Sequence, residues 1–449
     1  MAKYNTVLTL PHELSKEVIL DHEGGDLTSD SGVLLLSQAD ARSGVIAAMA
    51  GAIDDGRDQY LVAHTVADLV RARVLAIAAG YEDANDLNTM RHDPALKIAC
   101  GRCPRSAPAL ASQPTLSRFE NGLSRSDVTR LGKRLAECVV ARLPARTNEV
   151  TLDIDATDDP CHGQQEFEGF NAYYDCRCYI PLLVHLTDEQ GTQWPVAALL
   201  RPGGTHPQAG VRILLRHLVH MLRRRFPRIK IMVRADAGFG CDRVLRCLDR
   251  LKVGYVLGLT GNKVLQRSSA MIEKKCLLKW KRGVADGRTY GAFLHKAGSW
   301  DRGRQVVVKA DVSEGGTPII RYLVTNLWGW KAKAVDQFYC ARGDRENRIK
   351  EFKLDLFSGR TSCHRFVANQ GRLLMHLAAY VLWTVVRQAA GGTQWAKAQV
   401  GTLRLQLLKV AARVIESTRR IWIHLCSSSP YRDDWDRVQA NLCLPPPAT

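Results

Sequence analysis

Acidic side chains lie where two predicted strands end. Asp153 and Asp155 close the first run, residues 149–155, in which apolar and polar positions alternate. Side chains two positions apart in a strand point the same way, so these two carboxylates share a face. Asp236 closes a second alternating run, residues 229–236. Carboxylates at neighbouring strand ends can converge on a divalent cation, and hard oxygen ligands suit Mg²⁺. A single aspartate at a strand end more commonly caps a turn.

A further acid lies in residues 338–353, a segment whose pattern predicts one helix. Tyr339, Arg342, Glu346 and Lys353 follow one another at offsets of 0, 3, 7 and 14 residues. At 3.6 residues per turn, those offsets place all four along one side of the helix. An acid flanked by a phenol, a guanidinium and an ammonium group would suit an anion held near a metal. On this helix alone, the alternative is an ordinary charged face with Glu346 paired to a basic neighbour.

The elements around these acids predict an α/β core. Strand patterns cover 149–155, 179–186 and 194–200, a helix covers 211–226, and a strand at 229–236 precedes a second helix and a strand at 255–259. Residues 188–191 are typical of a hairpin turn. Three strands, helix, strand, helix, strand is the order of a ribonuclease-H-like core. The predicted fold is that core with a β-rich insertion and with helical N-terminal and C-terminal regions.

The length of 449 residues predicts two to four domains, at about 100–200 residues each. The predicted regions are 1–145, helical; 146–260, the first part of the core; 261–332, the β-rich insertion; 333–390, the second part of the core with the helix that carries Glu346; and 391–449, a C-terminal region. Residues 261–330 carry 13 Lys+Arg against 5 Asp+Glu. The same stretch holds four of the nine tryptophans, Trp280, Trp300, Trp328 and Trp330.

Composition narrows the class of protein. With 46% hydrophobic and 24% charged residues, the chain is neither disordered nor a collagen nor a coiled-coil rod. A formal charge of +18 and a pI near 9.5 indicate a polyanionic partner, most simply nucleic acid. The longest apolar stretch, 373–386, is shorter than the roughly 18–20 residues of a membrane span and predicts a buried helix. Thirteen irregularly spaced cysteines favour free thiols in a reducing cytoplasm, and the chain opens into no apolar signal region.

The four spaced residues carry a resemblance to a known family. Tyr339-x2-Arg342-x3-Glu346-x6-Lys353 resembles the Tyr-Arg-Glu-Lys signature of bacterial insertion-sequence DDE transposases. The segments His162-Gly-Gln-Gln165 and 360–366 are also similar to segments of that family, as is the helical N-terminal region. The resemblance therefore extends over nearly the whole chain.

The strand-end aspartates extend this resemblance. Asp155-Ala-Thr and Asp236-Ala-Gly-Phe look like the first and second catalytic aspartates of the family. Asp236 lies 81 positions after Asp155 and 110 before Glu346, which resembles the branch with a β-rich insertion between the second aspartate and the glutamate. Asp153 stays the alternative first ligand. Asp158 and Asp159 are at most loop ligands.

The resemblance implies an enzyme that cuts the ends of an insertion sequence and joins them to target DNA. Its catalytic and metal-binding residues would be Asp155, Asp236 and Glu346, holding two Mg²⁺ ions, or Mn²⁺ in their place, about 3.5–4 Å apart. Its DNA-binding residues would be Tyr339, Arg342 and Lys353. The partners implied are element-end DNA, target DNA and a second copy of the chain in a synaptic complex. Such a protein would work in the bacterial cytoplasm, in association with the nucleoid, and would not bind a membrane.

Other functions stay open from the sequence. A catalytically inactive, DNA-binding or regulatory derivative would keep the basic surfaces without needing all three acids. A nuclease of the same fold would cut DNA but not join it. Related transposases also use a tryptophan of the insertion to stack a flipped base while a hairpin end forms, and the sequence does not select one of the four tryptophans for that role.

Overall fold

The computed structural model describes residues 6–8, 15–284 and 286–443, without the side chains of residues 6, 8 and 344–346. The N-terminal part is mainly helical. Its strands are β1 (Thr6–Leu8), β2 (Val18–Leu20) and β3 (Leu27–Thr28). Its helices are α1 (Val33–Ser43), α2 (Val45–Ala50), α3 (Val66–Ala79), α4 (Leu87–Met90), α5 (Pro94–Ala99), α6 (Gln113–Gly122) and α7 (Arg125–Ala141). Reciprocal side-chain caps begin α3, with Thr65 and Asp68, and α7, with Ser124 and Asp127.

The middle of the chain alternates strands with helices, as its hydrophobic pattern predicts. Its elements are β4 (Glu149–Ala156), β5 (Asp159–Pro160), β6 (Gly169–Asn171), β7 (Cys176–Tyr179), β8 (Leu182–Thr187), β9 (Gln193–Leu199), α8 (Val211–Arg225), β10 (Lys230–Ala235), α9 (Asp242–Arg250) and β11 (Gly254–Leu259). The strand predicted over 179–186 is confirmed as β8 from Leu182 onward, but its predicted start is wrong, because the chain leaves β7 at Ile180 and enters β8 after Pro181. Proline lacks the N–H that a continuous ladder needs. The predicted hairpin turn is confirmed between β8 and β9, where Gly191 N donates to Asp188 O at 3.0 Å.

Residues 261–332 contain three strands, in keeping with the predicted β-rich segment, and also a helix that was not predicted. They begin with a helix, α10 (Lys263–Lys281), before β12 (Thr289–His295), β13 (Arg304–Val312) and β14 (Pro318–Thr325). Asn262 caps the helix by accepting from Val264 N and Leu265 N, and Leu265, Ser269 and Cys276 form its buried face. This helix covers β12 and β13, so burial against the strands stabilises a segment whose own pattern is weakly helical.

These strands join the central ones in one sheet. The order is β12-β13-β14-β11-β10-β4-β8-β9. Strands β4, β10 and β11 run parallel, while β8 is antiparallel to β4 and β14 is antiparallel to β11. The parallel strands are buried along most of their length, as expected for a sheet covered on both faces.

The C-terminal part returns to the N-terminal helices. Its elements are α11 (Ala332–Cys340), α12 (Gly343–Lys350), α13 (Phe366–Ala389), α14 (Val400–Leu403), β15 (Ala412–Glu416), β16 (Ile421–Leu425) and α15 (Arg432–Cys443). Strand β15 pairs with β3, and α15 packs on α1 and α13. The first and last parts of the chain therefore share contacts.

The long apolar stretch is a buried helix, as predicted. Helix α13 packs against α1, α3, α7 and β9, and nearly all of its residues are buried. Among the described residues, no helix is both long and apolar enough to cross a membrane.

Candidate active site

Two of the predicted acids meet at one edge of the sheet. Ile154 on β4 and Ala235 on β10 are partners in a parallel pair, and each precedes an aspartate, Asp155 or Asp236. Parallel strands end at the same edge, so both carboxylates lie there. The Asp236 side chain also accepts from Gly238 N at 2.9 Å and caps the turn that follows β10.

The two carboxylates influence each other electrostatically. Burial raises the pKa of Asp155 to about 6, the cation Arg342 opposes that shift, and the negative charge of Asp236 adds to it. Arg342 Nη2 lies 2.6 Å from Asp155 Oδ2. The site thus places two carboxylates in a partly desolvated environment, where one of them already binds the guanidinium of Arg342.

Asp153 has a different environment from Asp155. It is 4% exposed, and its carboxylate pairs with Arg234 Nε of the neighbouring strand at 2.8 Å. Arg234 in turn donates to Phe338 O at 2.6 Å and stacks over the Phe338 ring. The pair ties β4 and β10 to α11. Asp153 is thus held inside the sheet, whereas Asp155 lies at the end of β4 and is more exposed.

The single helix predicted for residues 338–353 is interrupted twice. Helix α11 ends at Cys340 and α12 begins at Gly343, with Arg342 in the turn between them. Residues 351–355 then form a wider turn in which Leu356 N donates to Glu351 O. The predicted alignment of four side chains along one straight helix is therefore wrong.

Buried charge accounts for the second interruption. The Glu351 carboxylate is completely buried, Arg348 Nη1 lies 2.6 Å from it, and Arg387 pairs with it from α13. A buried carboxylate must be paired, and the ion pairs of Glu351 hold residues 351–355 in the wider turn instead of a regular α-helix. The spacing of residues 338–353 could not predict the contact with Arg387, because that residue lies in a different helix.

Three of the four signature residues nevertheless lie at the edge of the sheet that carries the two aspartates. Arg342 contacts Asp155 directly. The Tyr339 hydroxyl lies beside Gly258 at the end of β11, and burial raises the pKa of Tyr339, which keeps its phenol protonated. Lys353 Nζ lies 2.7 Å from Asp158 Oδ1, in the loop that follows β4. Bends in the helix thus bring these three side chains to the same edge of the sheet.

Glu346 lies on α12, one turn after Arg342. Its side chain is outside the described residues, so its role as third metal ligand stays a prediction. Among the described side chains, no group of three or more His, Cys, Asp or Glu is arranged to hold a metal ion. The two described carboxylates fit Mg²⁺ by their chemistry, since both offer hard oxygen donors and their mutual repulsion favours a cation between them.

Asp158 is a candidate functional residue whose contact was not predicted from the sequence. It pairs with Lys353 across 195 positions. The crowding of four aspartates within residues 153–159 was the available signal, but it did not distinguish their partners. Next to it, Asp159 is buried and accepts from the Thr361 hydroxyl at 2.9 Å, and burial raises the pKa of Asp159 to about 7.

The four tryptophans of residues 261–332 differ in exposure. Trp300 is buried, and Trp330 packs edge to face on Phe338. Trp280 and Trp328 are 43% and 61% exposed. An aromatic side chain must be accessible to stack on a base, so the exposed pair are the candidates for that role.

Comparison with known proteins identifies the family of the chain. A family model described as transposase DDE domain group 1 matches residues 10–445. No curated protein matches the chain. The family implies DNA as the substrate, strand cleavage and transfer as the general activity, and divalent metal ions as the general cofactor. Because the match spans nearly the whole sequence, the chain belongs to the transposase DDE domain group 1 family.

Proposed function

We propose that this protein cuts the ends of an insertion sequence and joins them to target DNA by Mg²⁺-dependent phosphoryl transfer. The observation that carries the proposal is the meeting of Asp155 and Asp236 at the ends of adjacent parallel strands, with Arg342 bound to Asp155. Family membership supports the transposase activity. The specific chemistry rests on the geometry of these side chains.

The metal-binding residues in this proposal are Asp155, Asp236 and Glu346. Two Mg²⁺ ions, or Mn²⁺, would supply activation of the attacking water or 3′-hydroxyl and stabilisation of the leaving oxygen. The carboxylates must be ionised to bind, and an Asp155 pKa of about 6 places that ionisation just below neutral pH.

The basic residues of the site would hold the DNA strand. Arg342 and Lys353 each contact a carboxylate here, that of Asp155 and that of Asp158. Either cation can exchange that carboxylate for a phosphate, Arg342 through two parallel hydrogen bonds and Lys353 as a point charge. Tyr339, protonated at neutral pH, would donate to a phosphate oxygen.

We assign a ribonuclease-H-like core to residues 146–260 and 333–390, interrupted by the insertion at 261–332. The support is the strand order β9-β8-β4-β10-β11, with β8 antiparallel and β10 and β11 parallel to β4. Regions 1–145 and 391–449 would bind DNA or a second copy of the chain. We infer a homodimer that pairs two element ends in the bacterial cytoplasm at the nucleoid, because both ends must be processed together.

The proposal is tested by cleavage and strand transfer with labelled duplexes that carry the element's own terminal sequences. We expect wild type to cut and join with Mg²⁺, and Asp155→Asn, Asp236→Asn and Glu346→Gln each to abolish both steps. Glu149→Gln is the matched control, because Glu149 begins β4 at the opposite end from Asp155 and pairs with Lys230. Normal cutting by all three variants would contradict the metal site.

The same assay separates the alternative functions. Binding of ends without cutting under any divalent metal would identify a DNA-binding derivative. Cutting without joined products in a target plasmid would identify a nuclease. Joined products that depend on all three acids are the result expected of the proposed enzyme.

A further inference from the structure

Five arginines line a shallow cavity of about 220 Å³ between α8 and α9. We call this cavity the arginine groove; its charged residues are Arg212, Arg216, Arg243, Arg246 and Arg250, and Cys247 completes the lining. All five arginines are exposed. The groove contains no acidic residue, so it concentrates positive charge in a concave surface.

Most of this charge is uncompensated. Among the described residues, Arg212, Arg216, Arg243 and Arg250 have no ion pair, whereas Arg246 lies 3.7 Å from Asp242 and 3.9 Å from Asp301. The other acid of α9, Asp249, is occupied by Arg302 and Arg304 at 2.6 and 2.5 Å. Clustering like charges without counter-ions costs stability, so the arrangement favours an anionic ligand.

The groove begins at the edge of the sheet that carries the two aspartates. Strand β10 pairs parallel with β4. Strand β9 also runs parallel to β4, because β9 is antiparallel to β8 and β8 is antiparallel to β4. Helices α8 and α9 follow these strands and therefore start at that edge. Gln208 and Cys241, just before the two helices, are in contact at 2.7 Å. The positive ends of both helix dipoles add to the field of Arg212 and Arg243.

The side chains of the groove indicate which anion it fits. Arginine forks match phosphate oxygens bidentately. Apart from the arginines themselves, the groove offers no side chain that reads base edges, and phosphate contacts alone carry no sequence information. The arginines follow one another at i, i+4 on α8 and at i, i+3, i+7 on α9. At these spacings they form a row of positive charge along each helix and do not enclose a pocket. This suits an extended polyanion better than a small phosphate.

We propose that the arginine groove binds the sugar–phosphate backbone of duplex DNA without sequence preference and so holds target DNA beside the catalytic edge. This role rests on the proposed function, because a transposase must grip a second, sequence-tolerant duplex as well as its own ends. Binding through phosphates releases counter-ions, so each contact adds about 0.9 to the slope of log affinity against log salt.

The test measures binding of the full-length protein to a labelled duplex of random sequence, in EDTA, between about 50 and 200 mM salt. The variants are the pairs Arg212→Gln/Arg216→Gln on α8 and Arg243→Gln/Arg250→Gln on α9. The charge-matched control is Arg228→Gln/Lys230→Gln, whose exposed cations lie at the start of β10, at the opposite end of that strand from Asp236. Each groove pair should lower the salt slope by about 1.8 and weaken binding roughly tenfold or more, with little change in the control.

Equal losses in the groove and control variants would overturn the proposal, because net charge alone would then explain them. A larger loss with single-stranded DNA than with duplex would also overturn it. The pair Arg212→Lys/Arg216→Lys keeps the charge and should restore most of the slope, which separates a binding defect from misfolding. Because no metal is present, failure of this test and failure of the cleavage test are distinguishable.

Discussion

Arg342 Nη2 and Asp155 Oδ2 lie 2.6 Å apart although 187 positions separate them in the chain. The contact joins the end of β4 to the turn between α11 and α12, and both side chains are largely buried, 14% and 17% exposed. It places a guanidinium on the carboxylate that is the proposed first metal ligand. The contact therefore links the acidic and the basic halves of the candidate site.

Arg342→Ala should lower the rate of strand transfer about 10²-fold while DNA binding stays largely intact, because one cation near the reacting phosphate contributes mainly to the transition state. Single-turnover strand transfer and a binding titration measure the two effects. Lys350→Ala, which removes an exposed cation from the same helix α12, is the control. Unchanged strand transfer in Arg342→Ala would contradict its assigned role.

Metal affinity should depend on pH through Asp155. Because its pKa of about 6 lies above the ordinary 3.8, the folded protein holds this proton more tightly than the unfolded chain does. The contribution of Asp155 to the free energy of unfolding is therefore highest below pH 4, falls as the pH rises to about 6, and stays low above it.

Added Mg²⁺ should offset that loss at pH 7–8, since it binds the ionised form. We expect the melting temperature to rise with Mg²⁺ at pH 7.5 and not at pH 5. Asp155→Asn should abolish the rise at pH 7.5. A Mg²⁺-dependent shift of equal size in the variant would show that the metal binds elsewhere.

Asp153 and Arg234 should prove structural rather than catalytic. Asp153→Ala leaves the buried Arg234 guanidinium unpaired, which should cost about 3–5 kcal/mol of unfolding free energy. The double variant Asp153→Leu/Arg234→Met removes both charges and should regain most of that stability. Urea unfolding measures both. Restored stability together with retained cleavage in the double variant is the expected result, and a stable but inactive double variant would reinstate Asp153 as a ligand.

The exposed tryptophans should act on DNA and the buried one on stability. Trp328→Ala should raise the activation free energy of end processing by about 1–3 kcal/mol, the range for loss of a stacked base. The melting temperature of this variant should be unchanged. Trp280→Ala tests the second candidate in the same assay. Trp300→Ala should instead destabilise the fold by about 3–5 kcal/mol, since Trp300 is buried. Normal end processing in both exposed variants would exclude base stacking by these residues.

The candidate site was partly predictable from local patterns. The alternation of apolar and polar residues predicted the strands β4 and β10 and placed Asp155 and Asp236 at their ends, although both strands are buried along most of their length. Parallel pairing of these strands then brings both acids to one edge. These features depend on periodicity within a few residues, which a sequence displays directly.

The positions of Arg342 and Lys353 were less predictable. Their spacing predicted one straight helix, but Glu351 is held by Arg348 and by Arg387 of α13, and the chain widens there. The separation of β7 from β8 at Pro181 and the helix α10 also departed from the predicted strands.

The residue types of the site, most of the order of strands and helices, and the excess of positive charge can be read from the sequence alone. Only the tertiary structure decided which acid each cation contacts, that Asp153 is buried against Arg234, and that five arginines from two helices form one groove. The physical reason is that periodicity reports which face of an element is buried. Pairing between side chains far apart in the chain depends on how those elements pack, and packing is a property of the whole fold.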